Sequence, residues 1–259
     1  MNTPDEYLSQ KKNKSKNNKG NNSRDNNSSL TEKENVDNHV DVLAFSPHPD
    51  DAELGCGGFL LEMKKKGYRT GIIDLTQGEM GSTASAETRL RESQKAATHL
   101  ELDVRSNLNL GDCHLTDSYE TRIKVAATLK KLTPSLVLAP FHKDRHPDHH
   151  ACSLIVKHAL VYARLKKLGN PHYITYLFYY LLNTPFTPTF IMDITASFNK
   201  KIEVLSLYTS QFSSEYPLLK EYIPHTTAKA LYYGSLVNVQ YGEPFQVEGF
   251  LKVNDPLNL

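Results

Sequence analysis

From about residue 40 onward, apolar and polar positions alternate between two periods. Val40-Asp41-Val42-Leu43-Ala44-Phe45 is a short apolar run that predicts a buried strand. Residues 54–66 then predict a helix, which Gly67 ends. Residues 70–75 read as a second buried strand. A Gly-rich loop at 76–82 leads into a helix over 86–100, with Leu90, Ala97 and Leu100 among its apolar positions. Residues 108–111 predict a weak third strand. An amphipathic helix follows over 118–132 until Pro134 stops it, and 136–139 form a short, wholly apolar fourth strand. A helix is expected over 151–168, strands over 173–182 and 189–193, and helices over 196–208 and 228–237. Alternation of this kind predicts an α/β fold: a Rossmann-like, mostly parallel sheet flanked by helices, as a single domain over 39–259. In the doubly wound order 3-2-1-4, strands one and four are neighbours, and a crevice opens between their carboxyl ends.

The chemistry falls at those two strand ends. Ser46-Pro47-His48-Pro49-Asp50-Asp51-Ala52-Glu53 follows the first strand, and two prolines stiffen the turn. Taken alone, Asp50, Asp51 and Glu53 could simply cap the helix and complement its dipole. The fourth strand runs into Pro140-Phe141-His142-Lys143-Asp144-Arg145-His146-Pro147-Asp148-His149-His150, which repeats the His-Pro-Asp arrangement. A catalytic zinc needs three protein ligands and an open position, and histidines plus a carboxylate from two facing loops meet that count. His149 and His150 diverge by about 100° on a nascent helix, so one of them faces the crevice. Cys152 reads as a small packing residue. His39, His99, His114, His158, His172 and His225 read as ordinary surface or core histidines.

Composition narrows the partners. A formal net charge of +1 over 259 residues gives no global field for nucleic acid or an anionic membrane. Three cysteines without paired spacing argue against a disulfide framework and fit a reducing, cytoplasmic setting. No apolar run is long enough to span a bilayer. Residues 1–38 are rich in Asn, Lys and Ser with few large apolar residues, so a disordered polar tail is expected there, and the absence of an apolar segment argues against a signal peptide.

His48-Pro49-Asp50-Asp51 with Glu53, and His146-Pro147-Asp148-His149, resemble the signature of the LmbE-like (PIG-L) zinc deacetylases. Asp74-Leu75-Thr76-Gln77-Gly78-Glu79, Thr88-Arg89-Leu90-Arg91-Glu92, Asp144-Arg145, Lys200-Lys201-Ile202-Glu203 and Tyr241-Gly242-Glu243-Pro244-Phe245 are similar to one branch, the deacetylases of bacillithiol biosynthesis. The resemblance implies one Zn²⁺ per subunit held by His48, Asp51 and His149, with Asp50 as general base towards a metal-bound water. It further implies His146 as oxyanion stabiliser or proton donor, Asp148 orienting its ring, and Arg89 holding substrate. The implied partner is a small glycoside, N-acetylglucosaminyl malate, acted on by a homo-oligomer. Rival readings are another glucosaminyl conjugate (inositol-linked or antibiotic-like) and a metal- or sugar-binding protein without turnover.

Overall fold

The structure, a computed structural model, describes residues 39–212 and 221–253; the tail expected over 1–38 lies outside them. Seven strands form one sheet in the order β3-β2-β1-β4-β5-β7-β6. The first half is β1 (Val42–Ser46), α1 (Asp51–Lys65), β2 (Thr70–Asp74), α2 (Ala86–His99), β3 (Val104–Asn107), α3 (Tyr119–Leu132) and β4 (Leu136–Pro140). After α4 (Pro147–Ala163) come β5 (Tyr176–Tyr180), β6 (Phe190–Asp193), α5 (Phe198–Leu205), α6 (Thr209–Phe212), α7 (Tyr222–Ser235) and β7 (Gly242–Val247).

Strands β1 to β5 pair in parallel, and β1 lies against β4 in the register Val42↔Leu136, Leu43↔Val137 and Ala44↔Leu138. The 3-2-1-4 order therefore holds, and the ends of β1 and β4 open side by side. The interior strands are buried on both faces, as a sheet covered by helices on both sides demands. Leu43, Phe45, Val137 and Ala139 pack into one core layer, Val42, Ala44, Ile72 and Leu138 into the other.

Three details differ from the sequence expectation. The third strand is Val104–Asn107 rather than 108–111. It lies at the sheet edge and is half-exposed, so its polar residues carry no apolar signal, whereas Leu108 and Leu110 pack on the core from a chain that turns at Asn109, φ 49°. Helices α1, α4 and α7 begin earlier than expected, at Asp51, Pro147 and Tyr222. Proline suits the first helical position because it has no N–H to leave unpaired, and the His146 side chain accepts the Asp148 N–H as a cap. Finally, Gly242–Val247 is a strand inserted antiparallel between β5 and β6.

Capping fixes α3: Ser118 and Thr121 exchange side-chain-to-backbone bonds at its start, and Thr133 ends it in the left-handed region. In α1, Gly55 is set by contact. A Cβ there would stand 2.1 Å from Cδ2 of Tyr180, whose hydroxyl donates to the Phe45 carbonyl at 2.8 Å. Gly55→Ala is expected to lower stability by about 1–3 kcal/mol through overpacking. Urea denaturation monitored by circular dichroism checks this, and an unchanged midpoint would show that Tyr180 can move aside.

Candidate active site

Three side chains converge on one oxygen. Asp51 Oδ2 lies 2.9 Å from Nδ1 of His48 and 3.3 Å from Nε2 of His149. All three residues are buried, and their donor atoms lie within 4.8 Å of one another. His48 ends the β1 turn, Asp51 opens α1, and His149 sits in the first turn of α4. His150, one residue on, is exposed and turns its Nδ1 to the His142 carbonyl at 2.6 Å, so one histidine of the pair enters the crevice.

Each ring is also held on its far side. His48 Nε2 lies 3.0 Å from Asp112 Oδ1 and 3.2 Å from Asp148 Oδ2. His149 Nδ1 lies 3.2 Å from Asp144 Oδ1. A carboxylate behind a metal-binding imidazole fixes the ring's orientation and raises its basicity. Asp112 is itself fixed, its Oδ2 accepting the Met80 N–H at 2.9 Å. Asp144 accepts the backbone N–H groups of His146, Asn183 and Thr184.

Burial alone would lower the pKa of His48, but Asp112, Asp148 and Asp51 outweigh it and push the ring up to about 12. Burial likewise opposes the charge on His149, and Asp51 and Asp144 raise it to about 9. Asp51 moves the other way: burial works against its charge, yet His149 and His48 hold it well below the usual carboxylate range. Five buried aspartates (Asp50, Asp51, Asp112, Asp144 and Asp148) crowd the site; of the buried cations on the cavity wall, Arg89 pairs with Asp50 and Lys201 with Glu243. Without another cation, the imidazoles must supply the balancing charge. A divalent ion on two nitrogens and one oxygen supplies it instead, and this donor set suits zinc. His48, Asp51 and His149 can therefore hold a metal ion.

Asp50 stands outside that trio and lines the cavity. Its backbone sits at φ 126°, a strained value for a residue with a side chain, and its carboxylate makes no cap bond to α1. The acid is thus not spent on the helix end. Burial raises its pKa, Arg89 opposes this, Asp51 reinforces it, and the group is pushed up to about 7. Arg89 lies 3.2 Å from Asp50 Oδ2 and donates to the carbonyls of Pro49 at 2.8 Å and Gly78 at 3.3 Å. It is buried on the cavity wall, and its guanidinium serves Asp50 and the loop backbone.

His146 stacks on His149 with ring centres 4.5 Å apart. Asp148 meets His146 through its backbone, donating its N–H to Nδ1 at 3.2 Å. The Asp148 carboxylate points elsewhere, to His48 and to the Cys113 N–H at 2.8 Å. Glu53 also turns away from the trio. Its Oε1 accepts from Arg105 at 2.5 Å and from the Tyr208 hydroxyl at 2.6 Å. Cys152 is fully buried in the core, and His225, expected to be ordinary, lines the cavity.

Asp112 and Asn183 were not singled out from the sequence, and Asp144 was noted there beside Arg145 without a role. Asp144 carried a local signal, since an aspartate two residues before His146 can accept that residue's N–H, as it does at 2.9 Å. Asp112 and Asn183 reach the site only through the sheet order.

A profile of the family described as PIG-L, GlcNAc-PI de-N-acetylase, matches residues 43–160, a stretch that holds both His-Pro-Asp turns. The conserved protein TT1542 from Thermus thermophilus is 39% identical and superposes with a TM-score of 0.80, over 85% of this chain and 99% of that one. The chain belongs to the PIG-L deacetylase family. A diacetylchitobiose deacetylase of Thermococcus kodakarensis is 28% identical over 220 residues, 78% of this chain and 80% of its own. The N,N'-diacetylchitobiose deacetylase of Pyrococcus horikoshii, solved with an inhibitor, is 27% identical with a TM-score of 0.73, over 81% of this chain and 84% of that one. The family match ends inside α4, so the shared stretch includes His48, Asp50, Asp51 and His149. The later elements supply the opposite wall of the cavity.

Asp144→Ala should weaken zinc binding about 10- to 100-fold by freeing the His149 ring. Competition with a chromophoric chelator measures this, and wild-type affinity would show that Asp144 does not hold the ligand.

Proposed function

We propose that this PIG-L family deacetylase is a zinc enzyme that removes the acetyl group from an N-acetylglucosaminyl conjugate with an acidic aglycone, N-acetylglucosaminyl malate being the reading preferred here. The observation that carries the chemistry is the division of labour between adjacent aspartates. Asp51 joins the two histidines, while Asp50 faces the same cavity with its carboxylate outside the trio. Bound to His48, Asp51 and His149, Zn²⁺ would polarise the acetyl carbonyl and acidify water.

Asp50 accepts the proton that the attacking water loses as its oxygen bonds to the acetyl carbon. It then delivers that proton to the glucosamine nitrogen as the C–N bond breaks, so water, acetate and free amine balance through one carboxyl. His146 fits a different task. Its Nδ1 accepts the Asp148 N–H, which places the ring proton on Nε2 and disfavours a doubly protonated ring. Burial, His149 and His48 also lower its pKa. A neutral Nε2–H donor suits the oxyanion that develops on the acetyl oxygen.

Support for an acidic aglycone comes from the later elements. The cavity, about 920 Å³, is large enough for a sugar with a substituent. Arg145 and Lys229 line it on the side contributed by the loop before α4 and by α7. Burial lowers the pKa of Lys229, Lys201 and Arg145 add to that shift, and Asp144 opposes it. A substrate carboxylate on that side would be attracted to Arg145 and Lys229. Related proteins in this family deacetylate a diacetylated chitobiose, so the sugar end is shared chemistry and the aglycone end is where this chain's cations act.

Purified protein should release acetate and free amine from N-acetylglucosaminyl malate, lose that activity on chelation, and regain it with zinc. Turnover of a neutral N-acetylglucosaminide alone would move the substrate, and no turnover of any glucosaminide would favour a binding protein. Asp50→Asn is expected to keep its zinc and lose about 10²- to 10⁴-fold in kcat; wild-type turnover would remove the general-base role. Arg145→Ala should raise KM for the malate conjugate with little change for a neutral one, and equal effects on both would reject the charge argument.

A further inference from the structure

Helix α1, which carries Asp51, is broken. Cys56 departs from helical geometry, φ −144° and ψ 18°, inside Gly55-Cys56-Gly57-Gly58. In an unbroken helix the N–H of Gly58 would donate to the carbonyl of Leu54. Here the Gly58 N–H donates to Glu243 Oε1 at 2.9 Å, and the Phe59 N–H donates to Glu243 Oε2 at 2.7 Å. Lys201 Nζ donates to the Leu54 carbonyl at 2.7 Å and to Glu243 Oε1 at 2.7 Å. An ammonium and a carboxylate, from α5 and β7, thus bond the backbone of α1 at its break.

Every part of the splice has a local reason. The carboxylate takes two N–H groups at the start of the second helical segment, where negative charge and acceptors are favoured. The lysine takes the carbonyl left at the end of the first segment, where positive charge is favoured. Gly58 leaves the approach open: a Cβ there would lie 2.9 Å from Glu243 Oε1 and 2.8 Å from the Ile194 side chain. Both charges are almost fully buried, at 2% exposure for Lys201 and 3% for Glu243, so each needs the other. Both also line the cavity that holds Asp50 and Asp51.

We infer that Lys201 and Glu243 are positioning residues that set the orientation of the ligand-bearing turn 51–55 relative to the rest of α1, an inference that rests on the zinc deacetylase reading above. The break uncouples that turn from the helix axis, so its direction is set by an ion pair from the far half of the chain. Asp51 can then meet His149 on α4, and Asp50 can face the cavity, without the whole helix tilting. The Lys200–Glu203 and Tyr241–Phe245 stretches, singled out in the sequence with no role attached, contribute these two residues.

Zinc affinity by chelator competition, with kcat and KM in parallel, tests the inference on the full chain. Lys201→Met should fold and yet bind zinc about 10- to 100-fold more weakly, with kcat reduced and KM nearly constant. Lys201→Arg, which keeps charge and donors, should recover most of the affinity. If Lys201→Met does not fold, the paired variant K201Q/E243Q, which keeps hydrogen-bonding groups without buried charge, carries the test with the same expected loss. A folded variant lacking the ion pair that binds zinc and turns over like wild type would overturn the inference. Wild-type protein that binds zinc but deacetylates no sugar would instead sink the proposed function, leaving the zinc arm to decide this one.

Discussion

The arrangement depends on keeping several carboxylates buried beside one another without a matching set of cations. Asp51, Asp112, Asp144 and Asp148 are each nearly inaccessible, and a buried carboxylate charge is costly unless a partner answers it. Histidines answer it in pairs: His48 between Asp51 and the Asp112–Asp148 couple, His149 between Asp51 and Asp144. Asp51 is the shared member, so displacing it releases both rings. Asp50 differs because its counterion is Arg89 and its other side is the cavity. Placing two adjacent carboxylates in such different surroundings suits the proposed division between a metal-holding Asp51 and a proton-exchanging Asp50.

The sheet makes this affordable by placing four chain segments at one edge. Strands β1 and β4 are neighbours, so their following turns oppose each other. The chain beyond β3 brings Asp112 to the same edge, and the chain beyond β5 brings Asn183. Beneath, Arg105 from β3 reaches Asp74 on β2 and Glu53 on α1, a buried network that ties the first turn of α1 to the neighbouring strands. This explains why an edge strand carries an arginine facing inward. It also explains why Glu53, though part of the first cluster, does not act with it.

Much of this was legible in the sequence because it is local. Apolar runs at 40–45, 70–75 and 136–139 have no other stable use than interior parallel strands, and alternation with helices fixes their order. Two His-Pro-Asp turns at the ends of neighbouring strands then locate the site. What was not legible crosses the chain. Val104–Asn107 is too polar to announce a strand, because Arg105 is recruited by partners on other elements. Asp112 is an unremarkable loop acid until β3 is in place. Arg89, expected to hold substrate, lines the cavity and also meets Asp50 and the carbonyls of Pro49 and Gly78, contacts that no spacing encodes. The orientation of His146 came through the Asp148 backbone rather than its carboxylate, a distinction no spacing encodes.

The antiparallel insertion of β7 shows how the later half completes the earlier one. A strict doubly wound sheet would place β6 beside β5, yet β7 takes that place and presents Glu243 towards α1. Residues 55–58 look like a flexible glycine run, but the glycines are there for contact. Gly55 admits the Tyr180 ring and Gly58 admits the Glu243 carboxylate, while Gly57 packs near Lys201. Removing side chains on one element lets polar groups from two others, Lys201 and Glu243, approach its backbone and bond the N–H and C=O groups at the break. The geometry of the turn that carries Asp51 therefore rests on residues that meet α1 from 147 and 185 positions further along the chain.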